Sequence, residues 1–327
     1  MSGRGRTARF GAGLCCGILL AWLAGCAQLV PQTMGLRTAW PEGVPQHVEL
    51  TAVPFFPQDE YQCGPAALAT VLSYSGVTVT PEPLVSQVYL PARQGSLQVE
   101  MLATGRRYGR VAYPLAPRYA DLLREVAAGN PVVVLQDVGP LFTQWHYAVV
   151  NGFDYPSGTL FLRSGQLARQ EMPFTYFERI WIKGGYWAMV VMPPDRIPVT
   201  ATEEGWMTAV LAMARVSKGD AATRAYSAAL ERWPDNLAAA IGLANQYHAR
   251  GALADAVAVL RQARQRHPQS VIVINNLAQT LSDQGRHAEA LSQIDKAADP
   301  QSPFAADVRA TRQVILQRMG QHKAGNR

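Results

Sequence analysis

Apolar positions along this chain follow three rhythms, and each predicts a different element. Near the start, an uncharged apolar run from Phe10 to Ala24 follows Arg4, Arg6 and Arg9. A run this short behind a basic start predicts an export leader rather than a comfortable membrane span. Between residues 47 and 192 the rhythm switches over short distances. Leu68, Val71 and Leu72 stand at i, i+3 and i+4, which predicts a helix with one buried face. Trp145-His146-Tyr147-Ala148-Val149-Val150 reads as a strand with His146, Ala148 and Val150 on one face. A turn follows at Tyr155-Pro156-Ser157-Gly158, then a second strand, Thr159-Leu160-Phe161-Leu162. Pro131 to Leu135 and Trp187 to Met192 read as buried strands. Together these elements predict an α+β domain, a helix packed on an antiparallel sheet.

The third rhythm has a period of 34. Ala222, Ala256 and Ala290 keep that step, as do Ala229, Ala263 and Ala297, and Tyr226, Leu260 and Ile294. Gly251 and Gly285 repeat with it, and so do Pro234 and Pro268. This pattern resembles the tetratricopeptide repeat, a helix–turn–helix unit. Trp206, then Leu243, Ala244 and Tyr247, then Leu277, Ala278 and Leu281 fill its first-helix positions. The first unit departs from the pattern, with Ser217 where the glycine belongs. The third has Pro300 and Pro303 on either side of Ser302 instead of a proline in register, and Phe304 to Met319 reads as a capping helix. The resemblance implies an all-α solenoid over residues 203–320 that binds a protein partner. Residues 26–46, with Pro31, Pro41 and Pro45, read as a spacer. Residues 193–202 read as a proline-rich linker, leaving 47–192 as the α+β domain and 1–25 as the leader.

Composition narrows the picture. Of 327 residues, 48% are hydrophobic, so neither domain reads as disordered. Removing Arg4, Arg6 and Arg9 with the leader lowers the formal charge from +6 to +3, too weak and scattered to argue for nucleic acid. No phosphate-cradling glycine loop or metal-ligand spacing stands out, so no cofactor or metal is expected. The cysteines say more. Leu23-Ala24-Gly25-Cys26 resembles the lipobox of bacterial lipoproteins, which implies lipidation of Cys26 and attachment to the membrane. Ala27 and Gln28 follow, and neither is acidic, which by analogy with lipoprotein sorting points to a periplasm-facing protein of the outer membrane. Cys15 and Cys16 leave with the leader, so Cys63 remains as the one free thiol of the mature chain. Export exposes it to an oxidising compartment in which thiols normally pair. It is a candidate for chemistry; the plain alternative is an inert buried cysteine.

Cys63 precedes Gly64-Pro65-Ala66 and the predicted helix, so it stands at a helix N-terminus, where unpaired amides and the helix dipole favour thiolate. A base must come from elsewhere, and His47 and His146 are the two histidines of the domain. Gln58 with Cys63-Gly64-Pro65-Ala66, followed by His146-Tyr147-Ala148-Val149-Val150, resembles cysteine peptidase family 39. These are papain-like peptidases that remove double-glycine leaders from bacteriocin precursors. The resemblance covers roughly residues 50–192. It implies Cys63 as nucleophile, His146 as general base and acid, and Gln58 as oxyanion donor beside the Cys63 backbone amide.

Two departures accompany it. The family places the glutamine six residues before the cysteine, and here the gap is five. The family's triad aspartate, commonly followed by proline, falls on Ser164, followed by Gly165. Asp154 lies eight residues along the strand from His146, roughly 26 Å if extended, which argues against it. Pairing Phe153 with Thr159 across the hairpin would set His146 opposite Gln166. Ser164 and Gln166 are therefore the candidates to orient the imidazole, and a neutral group suffices to fix a ring tautomer. The reading is a membrane-anchored thiol peptidase that hydrolyses peptide bonds through a Cys63 acyl-enzyme and carries a protein-binding module. Two alternatives share its residues: a non-catalytic peptide binder, and an acyl or peptidyl transferase.

Overall fold

A computed structural model describes residues 30–58, 62–93, 95–297 and 301–325. The leader, the lipobox with Cys26, and Pro300 lie outside the described residues. The chain forms two compact units. The first comprises the described part of Met1–Gly105, with Ala112–Val191 and Pro198–Thr200; the second comprises Arg106–Val111, Met192–Ile197 and Ala201–Arg327.

The first unit is the α+β one. Its helices are α1 (Pro31–Thr38), α2 (Cys63–Tyr74), α3 (Glu82–Val88), α4 (Gln98–Arg107), α5 (Tyr119–Ala127) and α6 (Phe174–Trp181). Its strands are β1 (His47–Glu49), β2 (Tyr89–Leu90), β3 (Gly95–Ser96), β4 (Val111–Pro114), β5 (Val132–Asp137), β6 (Trp145–Asp154), β7 (Thr159–Ser164), β8 (Leu167–Pro173) and β9 (Ala188–Met192). The main sheet runs β4-β9-β5-β6-β7-β8, with β1 also paired to β6, and β2 and β3 form a separate small hairpin. The four expected strands are all present. β6 is central: it pairs antiparallel with β5, β7 and β1. α2 departs from expectation. Gly64 to Leu72 are all buried, so the helix is enclosed on every side rather than on one face.

The spacer expected over 26–46 is corrected by α1. Thr33 and Leu36 are buried, and the backbone amides of Gln32 and Thr33 donate to Glu178 Oε1 and Oε2 at 2.9 and 2.6 Å. Gln32 Oε1 accepts the Tyr119 amide at 2.5 Å. The buried Glu178 thus caps otherwise unpaired amides at the start of α1. The apolar pattern gives no sign of this, because α1 is held largely through polar groups.

The linker expected over 193–202 is corrected too. Pro194 and Pro198 are buried. The backbone amide and Oγ1 of Thr200 both donate to Glu125 Oε1, at 2.7 and 2.6 Å, and Asn130 donates to the other oxygen of that fully buried carboxylate. Pro198–Thr200 is part of the first unit's fold, and the division between units does not fall at one free segment.

The second unit is helical: α7 (Glu203–Ala214), α8 (Ala221–Arg232), α9 (Leu237–Ala249), α10 (Leu253–Arg266), α11 (Val271–Asp283), α12 (His287–Ile294) and α13 (Ala305–Gly325). All nine residues of the three period-34 columns are buried. Gly251 and Gly285 turn with φ of +74° and +80°. In the first unit of the series that role passes from Ser217 to Gly219, at φ +75°, two residues further on. Asn236 and Ser270 side chains cap α9 and α11. α13 supplies Val308 and Ile315 to the core of the last repeat, as expected of a cap.

Candidate active site

Cys63 is the first residue of α2, and its thiol is the free one among the described residues. Backbone amides of Tyr147, Gly64 and Cys63 itself hydrogen-bond the sulfur. Tyr147 follows His146 on β6, so the thiol lies against the strand that carries the candidate base. Burial pushes the thiol above its ordinary value and outweighs those three amides, which pull it down. This corrects the expectation that the helix start leaves the sulfur as a thiolate: an amide cluster favours the anion, but a buried anion costs more than the cluster returns. Burial also pushes His146 down, to about 4. Both shifts favour the uncharged forms, thiol and imidazole.

His146 Nε2 and Ser164 Oγ are 2.9 Å apart. With Nε2–H donating to the serine, Nδ1 keeps its lone pair for a proton. Ser164, buried at the end of β7, is thus the side chain against the outer ring nitrogen. The register reaches this geometry through a bulge. Phe153 faces Leu160, not Thr159, but a shift between Val150 and Gly152 brings Val149 opposite Arg163. Asp154 is elsewhere, paired with His47 Nδ1 at 3.1 Å.

Gln166 does not orient the imidazole, and this part of the expectation is corrected. Its Nε2 donates to the backbone oxygen of Gln58 at 2.7 Å. The Gln58 amide in turn donates to the Gly165 oxygen at 3.0 Å. The segment carrying Gln58 is thus gripped on both sides by the turn that follows Ser164. Gly165 stands at φ +56° in that turn. Proline, fixed near −65°, cannot adopt that angle, which explains why no proline follows Ser164. The Gln58 side chain is buried, with Nε2 3.5 Å from the Tyr147 oxygen and Oε1 without a partner among the described residues. Its amide is held loosely on the strand that touches the thiol, within the same small group as Cys63 and His146. The Tyr147 hydroxyl donates to the Ser96 oxygen at 3.2 Å and ties the β2–β3 hairpin to this end of β6. Sequence reasoning did not find the Gly165 carbonyl, the gripping role of Gln166 or the hairpin. The one available signal was a glycine directly after a strand.

A half-buried thiol at a helix start, a strand imidazole against a hydroxyl and a nearby carboxamide define a papain-like arrangement. Residues 50–189 match the model of the Peptidase_C39-like family, and residues 210–271 and 247–312 match tetratricopeptide-repeat models. The chain carries a peptidase C39-like domain followed by tetratricopeptide repeats. Among solved structures it is similar to a C39-like peptidase from Bacillus anthracis, at 21% identity over 45% of this chain and 98% of that one, with a TM-score of 0.39. It is also similar to a double-glycine motif protease from an AMS/PCAT transporter in complex with the leader peptide, at 21% identity over 42% and 90%, TM-score 0.33. A third is the peptidase domain of Streptococcus ComA, a bifunctional ABC transporter of a quorum-sensing pathway, at 20% identity over 43% and 98%, TM-score 0.35. No curated protein matches.

Proposed function

We propose that the chain is a cysteine peptidase acting through a Cys63 acyl-enzyme. The observation that carries this reading is the 2.9 Å hydrogen bond between His146 Nε2 and Ser164 Oγ; in the tautomer with Nε2–H donating, Nδ1 is the base on the strand whose Tyr147 amide reaches the Cys63 thiol. Nδ1 takes the thiol proton as the sulfur attacks the substrate carbonyl. The oxyanion accepts from the Gln58 carboxamide and the Cys63 backbone amide. Nδ1–H then protonates the departing amine, leaving the thioester. Water attacks that thioester, gives its proton to Nδ1, and the sulfur leaves as thiolate and recovers the proton. Because burial favours the uncharged forms of both groups, the proton moves during attack rather than before it. The test is turnover of a p-nitrophenyl ester and of a peptide mixture by the full chain. Cys63→Ala should abolish both, and mass spectrometry should find an acyl group on Cys63 in the unsubstituted protein.

The repeats serve protein binding in this reading, and the lipobox anchors the chain. Cys26 would be lipidated and the protein held at the outer membrane, facing the periplasm. Cys26→Ala should abolish fatty-acid labelling; recovery of unsubstituted protein as an unlabelled soluble species would refute the anchor. Where an amine replaces water at the thioester, the same site is a transferase, and the acceptor decides between the two.

A further inference from the structure

The loop joining β5 to β6, residues 138–144, closes the sheet at the His146 end, where Gln136 faces His146 and Asp137 faces Trp145. At its tip Leu141 and Phe142 are 88% and 86% exposed, more than any other large apolar side chain among the described residues. This is a built loop. The buried Asp137 accepts from the amides of Gly139 and Gln144 at 3.1 and 2.9 Å, and the Val138 amide donates to the Gln144 oxygen at 2.9 Å. Lys183 Nζ stands 3.4 Å from the other Asp137 oxygen. A Cβ at residue 139 would collide with the Phe142 carbonyl oxygen, so only glycine lets the chain fold back so tightly. Val138 to Trp145 contains no charged residue. A braced turn therefore holds two large apolar groups in water on the loop that leads into the strand of the base.

The proposed mechanism fixes which half of a substrate lies there. The departing amine must come within hydrogen-bond reach of the His146 imidazole to receive its proton. The acyl half is held instead at Cys63 and its oxyanion donors. Each further residue of an extended peptide advances it by about 3.3–3.6 Å, so the first residues past the scissile bond come within reach of the segment leading into His146. Resting on that reading, we infer that Leu141 and Phe142 bind an apolar side chain just C-terminal to the scissile bond. A membrane surface is the other surface that takes exposed apolar loops, but it favours accompanying basic residues, and the loop has none.

The test uses the full chain acylated at Cys63 by p-nitrophenyl acetate, with leucinamide or glycinamide competing against water for the thioester. The amine forms the new amide, its proton passes to His146, and Cys63 leaves as thiolate. The partition between aminolysis and hydrolysis is set after acylation, so it reports the leaving-group side alone. Unsubstituted protein should prefer leucinamide by about tenfold, the low end of the discrimination that apolar contact with an aliphatic side chain gives. Leu141→Ser with Phe142→Ser should bring the two amides to near equality, and Phe142→Leu should keep the preference. An acyl-enzyme that forms normally but shows no preference, or the same preference in the double variant, overturns the inference and leaves the peptidase reading standing. Absence of any acyl-enzyme overturns both. Loss of flotation with phosphatidylethanolamine–phosphatidylglycerol vesicles in the double variant, read in a Cys26→Ala background so that no acyl anchor contributes, with the preference retained, assigns the loop to lipid and also overturns it.

Discussion

The repeat unit and the peptidase-like unit bury their key residues by opposite routes. In the repeats, Ala256, Leu260 and Ala263 sit in one place in the pattern, and the same places recur 34 residues before and after. Each position is written three times, and each packs against sequence neighbours. In the peptidase-like unit, Gln58 is gripped by Gln166, 108 positions away, and His146 is oriented by Ser164 across a hairpin. Nothing there is repeated, and a shift of one residue in register would separate the parts. The difference predicts how each responds to damage. The repeats should lose stability by increments, whereas the site should lose chemistry in steps set by each residue's role.

The sharpest expected break is His146→Ala, which should lower ester turnover about a thousandfold or more while leaving the fold intact by circular dichroism, since it removes the base. Leu260→Ala should do the reverse: it empties a buried position in the repeats and should destabilise that unit by about 2–5 kcal/mol, read as a lowered transition in calorimetry, with ester turnover by the folded protein unchanged. If turnover falls with it, the contrast between the units is wrong.

Gln58→Ala should cost about a hundredfold in kcat, as loss of one oxyanion donor does. Gln166→Ala, which only loosens the grip on Gln58, should cost less and leave the pH profile in place. Ser164→Ala should cost less again but alter the profile. Ser164→Asp should raise its acid limb above about 4, because a carboxylate beside Nε2 stabilises the imidazolium that burial now disfavours. Asp154→Asn should have the smallest effect, since that carboxylate belongs to His47.

Much of this contrast was legible in the sequence, unevenly. The repeats were readable because a period announces itself three times over. Cys63, His146 and Ser164 were readable because each lies at the end of an element with a clear pattern: a helix start, a strand start and a strand end. Gln166 was placed near the site for the wrong reason. Strand counting put it opposite His146, but the positive φ at Gly165 turns the chain, and its side chain reaches the Gln58 backbone instead. The state of the thiol was misjudged because helix-end electrostatics are visible in a sequence, whereas the burial that opposes them depends on the fold. α1 and the Thr200 contact were missed because buried carboxylates hold them, and Glu178 and Glu125 carry no mark that separates them from surface acids.

The neutral pair of Cys63 and His146 is tested most directly by the pH dependence of the initial burst of p-nitrophenol from p-nitrophenyl acetate. His146 must be neutral to accept the thiol proton, and burial keeps it neutral down to about 4. The burst rate should therefore hold from neutral pH down to an acid limb near 4 and then fall, and His146→Ala should remove that plateau. A burst that rises only with ionisation of an ordinary thiol, around pH 8.5, and does so identically with and without His146, would show an isolated cysteine and contradict the account.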